Sequence, residues 1–205
     1  MTRILIIGAN GQIARVATQL FLERQDAELT LYLRKSARLK ALAKHPRVRI
    51  VEGDALDPVA LENAMAGQDV VYANLSGPME QQARNIVSAM QATGLRRLIF
   101  IASMGIYAEV PGQQYGSVLD PYRKAAAVVE ASGLDYTILR PAWLDDRDDI
   151  AYGTTHKGEA FQAADETVSR KSVADMVVRL AMTPEMDTGQ SIGIHHDARQ
   201  RRRST

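Results

Sequence analysis

The chain has 205 residues, and its 25 lysines and arginines nearly balance 24 aspartates and glutamates, for a net charge of +1. This length suffices for one domain with a buried core, and the near-neutral charge gives no reason to expect nucleic acid as a partner. With 46% hydrophobic residues but no apolar run of about 18, neither a disordered chain nor a membrane span is expected. The absence of cysteine excludes disulfides and thiolate chemistry, and with no secretory segment visible it predicts a cytoplasmic protein.

The first predicted strand runs directly into a glycine turn. Residues 3–14 read RILIIGANGQIA, in which the apolar run over 4–7 is typical of a parallel strand buried on both faces. Glycines let the backbone turn sharply and approach a phosphate, and the N-terminus of the helix that follows attracts negative charge. A plain strand-to-helix connection is the alternative. We predict a nucleotide-binding turn formed by Gly8, Asn10, Gly11, Gln12 and Ile13.

Strand and helix patterns alternate along the rest of the chain. We predict strands over 3–7, 28–33, 48–52, 69–73, 97–102, 135–140 and 191–195. We predict helices over 11–24, 36–43, 58–65, 80–92, 119–131 and 171–182. This order is typical of an α/β protein with a doubly wound parallel sheet, Rossmann-like, in a single domain over residues 1–197. The basic residues 198–205 follow the last strand and are predicted to form a disordered tail.

The end of the second strand determines which dinucleotide fits the turn. In this fold an acidic residue there binds the adenosine ribose of NAD, whereas arginine accommodates the 2′-phosphate of NADP. This chain carries Arg34 and Lys35 at that point. Because a guanidinium offers a planar set of donors suited to phosphate, we predict NADP(H), with NAD(H) the less favoured cofactor. A solvated basic corner is the alternative.

The next two strands end in residues that suit the same ligand. After the third strand, Asp54 is expected to bind the adenine amino group and Ala55 to pack against the ring, with a turn or helix cap as the alternative for Asp54. After the fourth strand, the segment Asn74, Leu75 and Ser76 is expected to let the backbone pass close to the nicotinamide ribose and phosphates. A tight loop shaped by its own glycine is the alternative there.

The fifth and sixth strands end in the residues expected to face the substrate. Ser103 follows the fifth strand, where its hydroxyl would polarise a substrate carbonyl as charge develops on the oxygen. Bonding to its own backbone is the alternative role of this serine. Trp143 follows the sixth strand as a candidate aromatic wall for the substrate, with core packing as the alternative. The polar stretch 145–166 comes next and is a candidate wall or lid of the crevice.

Four segments together carry a resemblance to a known family. They are GANGQIA at 8–14, VEGDALD at 51–57, IASMGIY at 101–107 and SGLDYTILRPAWL at 132–144. In this combination the chain resembles atypical members of the short-chain dehydrogenase/reductase superfamily, of the NAD(P)H-binding, NmrA-like type. The resemblance implies an NAD(P)-binding fold that serves either as an oxidoreductase or as a sensor of cofactor redox state. It also implies that Pro141 lies in the nicotinamide pocket.

One departure from the superfamily pattern concerns the proton donor. Active members use Tyr-x-x-x-Lys, in which the lysine prepares the tyrosine to exchange a proton with the substrate. Lys124 is the matching lysine, expected to bind the nicotinamide ribose unless it is merely solvated, but Asp120 stands four residues before it. Tyr122 lies about 200° away around the helix. The usual proton donor of the superfamily therefore does not carry over to this chain. Tyr107 is a candidate substrate contact and replacement acid, with packing as the alternative.

Two functions of different classes fit these residues. The first is an NADPH-dependent oxidoreductase that transfers a hydride to a small carbonyl, quinone or flavin-like acceptor, with Ser103 and Lys124 as catalytic residues. The alternative is a catalytically weak NADP(H)-binding sensor that acts through a protein partner. A sugar-nucleotide epimerase fits less well, because too few residues follow Trp143 for a large substrate domain.

The sequence also bears on metals and on self-association. No metal site is expected, because His156, His195 and His196 lack carboxylate or cysteine partners at ligand spacing. Many relatives form dimers through the helices that correspond to 80–92 and 119–131. The sequence is compatible with such a homodimer but does not require it.

Overall fold

The structure, a computed structural model, describes residues 1–197 and residue 199. In this part of the chain an eight-stranded sheet forms the centre, and a two-stranded ladder is separate from it. The predicted tail over 198–205 lies outside the described residues, apart from residue 199.

The elements follow one another in the alternating order predicted above. The strands are β1 (Thr2–Ile7), β2 (Ala27–Leu33), β3 (Val48–Glu52), β4 (Val70–Ala73), β5 (Arg97–Ile101), β6 (Asp135–Pro141), β7 (Trp143–Asp145), β8 (Tyr152–His156), β9 (Thr167–Ser169) and β10 (Gln190–His196). The helices are α1 (Gln12–Glu23), α2 (Pro58–Met65), α3 (Met79–Thr93), α4 (Asp120–Glu130) and α5 (Arg170–Met182). Short 3-10 helices span Ser36–Leu42 and Gly116–Leu119.

The order of the strands creates the crevice expected for a ligand. Across the main sheet the order is β3-β2-β1-β4-β5-β6-β10-β8, and every neighbouring pair is parallel except β8 with β10. The chain winds outward from β1 in one direction through β2 and β3, and then in the other from β4. Ligands of such sheets bind beyond the carboxyl ends of the strands, at the point where the order reverses. That point lies between β1 and β4.

Both faces of the sheet are covered, which explains the continuous apolar run at the start of the chain. In β1, Ile4 and Ile6 belong to the core under α1 and α5, whereas Leu5 and Ile7 belong to the core under α2, α3 and α4. Successive side chains of a strand point to opposite faces, so a strand covered on both sides is apolar at every position. The doubly wound fold predicted from the sequence is confirmed.

The stretch 145–166 contains more regular structure than its composition indicates. It contributes β8, which pairs antiparallel with β10 at the edge of the main sheet, and it leads to the ladder of β7 and β9. The sequence YGTTH of β8 lacks a clear alternation of apolar and polar residues. The strand pairs with β10 along its whole length, and Phe161, further along the stretch, packs against the bare backbone of Gly193 in β10. This contact is invisible to local pattern analysis.

Candidate functional site

The glycine turn after β1 is shaped by close contact with the end of β4. Gly8 adopts φ +77°, and a Cβ added to it would overlap the carbonyl oxygen of Asn74. A Cβ at Gly11 would overlap the side-chain amide of the same residue. The turn is fixed to β2 as well, because the Gly8 amide donates to the Tyr32 carbonyl at 3.0 Å. Only glycine satisfies both the positive φ and the close approach at position 8.

The N-terminus of α1 offers unpaired donors at this turn. The helix begins at Gln12, and its capping residue Gly11 has no side chain to bond the first amides. Within the described residues, the amides of Gln12, Ile13 and Ala14 have no hydrogen-bond acceptor. Such amides, together with the helix dipole, favour a phosphate group. The side chain of Gln12 is engaged elsewhere, because its Oε1 accepts a hydrogen bond from Arg170 Nε at 3.0 Å.

A cavity of about 470 Å³ opens beside the turn, across the ends of β2, β3 and β4. Most of the residues predicted to hold the cofactor line it together: Gly8, Asn10, Gly11, Arg34, Lys35, Asp54, Ala55, Asn74, Leu75 and Ser76. Their separation along the chain and their convergence in space agree with the predicted crevice. The two remaining members of the turn, Gln12 and Ile13, start α1 at its border.

One end of the cavity is strongly basic. Arg34, Lys35 and Arg38 line it, and all three are exposed. None of them forms an ion pair within residues 1–197 and 199. Glu52, the last residue of β3, is engaged elsewhere: it accepts hydrogen bonds from the backbone and hydroxyl of Ser36, which lower the pKa of its carboxyl. The three cations therefore remain available to an anion.

Tyr32 is a cavity residue that the sequence analysis missed. Its ring packs against the backbone of Gly53, and its hydroxyl donates to the Asp54 carbonyl at 2.8 Å. Burial, with the nearby charges of Asp57 and Asp54, raises the pKa of Tyr32 to about 12, so the phenol stays neutral near pH 7. This tyrosine holds the turn after β3 in place. Its only signal in the sequence is an aromatic residue just before the end of β2.

The two roles considered for Asp54 are distinguished in part by the structure. Its Oδ1 accepts from the amide of Leu56 at 3.0 Å, which is the turn-forming role. Asp57, not Asp54, caps α2, because it accepts from the amide of Ala60 at 3.0 Å. Asp54 also lines the cavity, so its predicted contact with adenine stays a prediction.

The residues predicted for the substrate end lie beyond this cavity. Ser103 and Pro141 are near each other at the ends of β5 and β6, where the Met104 amide donates to the Pro141 carbonyl at 3.2 Å. The Ser103 hydroxyl donates to the Met104 carbonyl at 3.1 Å, which is the backbone role considered for it. Trp143 is 57% exposed, so the alternative of core packing is wrong for this side chain. Its role as a substrate wall stays a prediction.

Tyr107 and Lys124 are not brought together with the cavity residues. The Tyr107 hydroxyl bonds Glu130 Oε1 at 2.6 Å and Ser191 Oγ at 3.1 Å. Burial and the bond to Glu130 raise the pKa of Tyr107. Lys124 is exposed on α4, where its charge adds to the hydrogen bond from Arg84 in lowering the pKa of Glu80.

The structure also bears on the missing tyrosine and on other kinds of site. Asp120, four residues before Lys124, pairs with Arg123 at 2.9 Å.

Over residues 1–197 and 199, no group of three or more histidines, aspartates or glutamates is arranged to hold a metal ion. In the same part of the chain, no helix is both long and apolar enough to cross a membrane.

Comparison with known proteins assigns the family. A family model for NAD(P)H-binding proteins matches residues 8–184, so the chain belongs to that family. Two curated relatives are each 26% identical to the chain. The "uncharacterized sugar epimerase YhfK" of Bacillus subtilis matches over 196 residues, or 86% of each protein. A "(4-alkanoyl-5-oxo-2,5-dihydrofuran-3-yl)methyl phosphate reductase" of Streptomyces griseus matches over 146 residues, which span 67% of this chain and 46% of the reductase.

Two solved structures extend the likeness over nearly the whole chain. A Rossmann-fold NAD(P)-binding family protein from Shigella flexneri is 40% identical, with a TM-score of 0.85, covering 100% of this chain and 98% of that one. A short-chain dehydrogenase/reductase from Veillonella parvula in complex with NADP is 29% identical, with a TM-score of 0.86, covering 97% and 96%. The predicted relationship to the short-chain dehydrogenase/reductase superfamily is confirmed.

Proposed function

We propose that this protein is an NADPH-dependent oxidoreductase that passes a hydride to a small carbonyl, quinone or flavin-like acceptor. The observation that carries the choice of cofactor is the set of three cations at the end of β2, Arg34, Lys35 and Arg38, which line the cavity and form no ion pair within residues 1–197 and 199. They lie where the 2′-phosphate of NADP is bound in this fold. The Streptomyces relative is a reductase, which supports hydride transfer, and the Veillonella protein is in complex with NADP, which supports the cofactor.

The residues present fit this cofactor at three separate points. The amides of Gln12, Ile13 and Ala14, which have no acceptor within the described residues, suit the pyrophosphate, and the close approach of Gly8 and Gly11 to Asn74 holds the turn that presents them. The three cations suit the 2′-phosphate. The cavity between them is flanked by Leu33, Ala55 and Leu75, whose apolar surface suits a purine ring. When bound, the nicotinamide supplies the hydride.

The contribution of the chain at the acceptor end centres on Ser103. A hydroxyl has one donor and two acceptor lone pairs, and the donor currently bonds the Met104 carbonyl. Rotation of the side chain redirects that donor towards an acceptor oxygen, where it stabilises developing negative charge. With Asp120 in place of the usual tyrosine, the chain offers no matched proton donor at that position. Quinones and flavins suit such a site because they depend less on protonation by the protein.

The proposed reaction is tested by turnover. Purified protein is mixed with NADPH and a panel of quinones, flavins and aldehydes, and the loss of nicotinamide absorbance is followed. We expect turnover with at least one acceptor, and Ser103→Ala is expected to lower kcat about 100-fold because a polarising donor is lost. Ser88→Ala, an exposed serine in the middle of α3, serves as the matched control and should change nothing. Equal rates for the wild type and Ser103→Ala would remove Ser103 from the mechanism.

A second function, NADP(H) sensing through a protein partner, is favoured by one observation. The tyrosine hydroxyl nearest in sequence to Ser103 belongs to Tyr107, and it is already bonded to Glu130 and Ser191. A protein that binds the cofactor without a proton donor is suited to report its redox state. Tight NADPH binding with no turnover on any acceptor would support the sensor over the enzyme.

A further inference from the structure

The first turn of α5 carries two cations at a position where helices favour acidic residues. Arg170 and Lys171 begin this helix, and its first turn contains no acidic residue. The N-terminus of a helix is the positive end of its dipole, so a cation there is disfavoured unless a negative group lies beside it. Asp146 pairs with Arg170 at 2.8 Å and Asp148 pairs with Lys171 at 2.6 Å, but these carboxylate side chains are 89% and 88% exposed. Ion pairs with such exposed partners stabilise a protein only slightly.

Arg170, unlike Lys171, contacts the glycine turn. Its Nε donates to Oε1 of Gln12 at 3.0 Å. Gln12 is the first residue of α1, and its backbone amide is one of the three donors left without an acceptor beside the cavity. The side chain of Arg170 is 16% exposed, and within residues 1–197 and 199 its Nη2 makes no hydrogen bond. A guanidinium with a donor to spare therefore lies one glutamine side chain away from the amides that suit a phosphate.

The surroundings of this guanidinium favour an anion. It lies beside the N-termini of two helices, α1 and α5, whose dipoles both oppose a positive charge. An anion at the first turn of α1 would be stabilised by the free amides, by the helix dipole and by the guanidinium at once. Among the described residues, Asp146 is the one acid that Arg170 contacts, and it lies on the surface, where water competes for its carboxylate. Exchange of this carboxylate for a phosphate oxygen therefore costs little.

The side from which Arg170 approaches selects one half of the dinucleotide. The adenosine end of the crevice is the basic end, beyond the carboxyl ends of β2 and β3. Arg170 follows β9, and its partner Asp146 follows β7, which comes directly after β6. In the sheet, β6 lies on the other side of β1 from β2 and β3. Of the two phosphates of the pyrophosphate, the one next to the nicotinamide ribose is therefore the nearer to Arg170.

We propose that Arg170 binds the phosphate on the nicotinamide side of the dinucleotide and releases Asp146 when it does so. This inference rests on the proposed cofactor. NADP and NAD share the pyrophosphate, so Arg170 contributes to the binding of both. It acts separately from Arg34, which selects the 2′-phosphate that only NADP carries.

The test compares three ligands by isothermal titration calorimetry. NADPH and NADH carry the whole pyrophosphate, whereas adenosine 2′,5′-bisphosphate keeps the adenosine end and lacks the phosphate on the nicotinamide side. Arg170→Met should bind NADPH and NADH each about tenfold more weakly, because a charge-assisted hydrogen bond is lost. Its affinity for adenosine 2′,5′-bisphosphate should stay within about twofold of that of the wild type.

Two further variants serve as controls. Lys171→Met removes the neighbouring cation of the same helical turn, whose partner is equally exposed, and should leave all three affinities unchanged. Asp146→Asn removes the carboxylate that competes for Arg170, so this variant should bind NADPH at least as tightly as the wild type. A purely structural role for the pair of Arg170 and Asp146 predicts instead that loss of either member weakens binding.

The inference is overturned if Arg170→Met binds NADPH as tightly as the wild type, or if it loses affinity for adenosine 2′,5′-bisphosphate to the same extent. A loss of NADPH affinity in Asp146→Asn or Lys171→Met that equals the loss in Arg170→Met overturns it too. Each of these results leaves the proposed cofactor intact, whereas a wild type that binds neither NADPH nor NADH overturns both proposals.

Discussion

Arg34 is the residue on which the proposed choice of cofactor depends most directly. It follows Leu33, the last residue of β2, and its guanidinium lines the cavity without an acidic partner in the described part of the chain. The position of Arg34 and its suitability for a phosphate could both be predicted from the sequence, because the end of β2 occupies a fixed place in this fold. The prediction of Arg34 as a cavity residue follows from counting strands, without knowledge of side-chain packing.

Replacing Arg34 by alanine should weaken NADPH binding about 10- to 100-fold, because a charge-assisted hydrogen bond to the 2′-phosphate is lost. NADH lacks that phosphate, so its affinity should change by less than about twofold. Both dissociation constants are measured by calorimetry. Arg24→Ala, an exposed arginine that pairs with Asp26 before β2, is the control and should leave both unchanged. An equal loss for NADPH and NADH would contradict the assignment.

Tyr32 and Arg170 show what sequence analysis leaves out at the scale of single residues. Tyr32 occupies a buried strand position where any large side chain would fit the pattern, so its bond to the Asp54 carbonyl has no local signal. Arg170 does leave a trace, since it stands in the first turn of α5, where acidic residues are favoured. A cation at that position indicates a nearby anion, but only the structure places it against Gln12 at the glycine turn.

Among the elements, the glycine turn was predictable and the segments around β8 were not. The turn is encoded within a few consecutive residues, by the positive φ of Gly8 and the start of α1 at Gln12. The strand β8 forms by pairing with β10, which lies more than 30 residues further along the chain, and Phe161 of the same stretch packs on Gly193 of that strand. Local patterns predict elements that are determined locally, and they miss those determined by tertiary contacts.

The loop after β5, which carries Ser103, is held by a buried ion pair. Arg140 in β6 is paired with Glu109, and the two side chains are 0% and 5% exposed. Glu109 also accepts from the amides of Gly105 at 3.0 Å and Tyr107 at 2.9 Å. This single carboxylate therefore joins the loop to the sheet, and we expect the position of Ser103 to depend on it.

Removing one member of this pair should be costly. Arg140→Met is expected to lower the free energy of unfolding by about 3–5 kcal/mol, because Glu109 is left buried without a counter-charge. Arg96→Met is the matched control, since Arg96 and Asp135 form a pair whose side chains are 60% and 46% exposed. Its loss should be below about 1 kcal/mol. Similar losses in urea titrations of the two variants would show that the buried pair does not anchor the loop.

At the scale of the whole molecule, the site is a consequence of the strand order. Reversal of the winding between β1 and β4 opens a crevice into which the turns after β1, β2, β3 and β4 all project. The sequence predicted this arrangement because the alternation of strands and helices leaves few parallel topologies. It did not predict the antiparallel β8. A homodimer through α3 and α4 stays a prediction.

The central claim is that the crevice at the ends of these strands binds a dinucleotide, and titration of NADPH into the unmodified protein tests it most directly. We expect saturable binding with a stoichiometry of one, measured as heat by calorimetry, and tighter than the binding of NADH. The absence of any heat with reduced or oxidised dinucleotide at millimolar concentration would contradict the account.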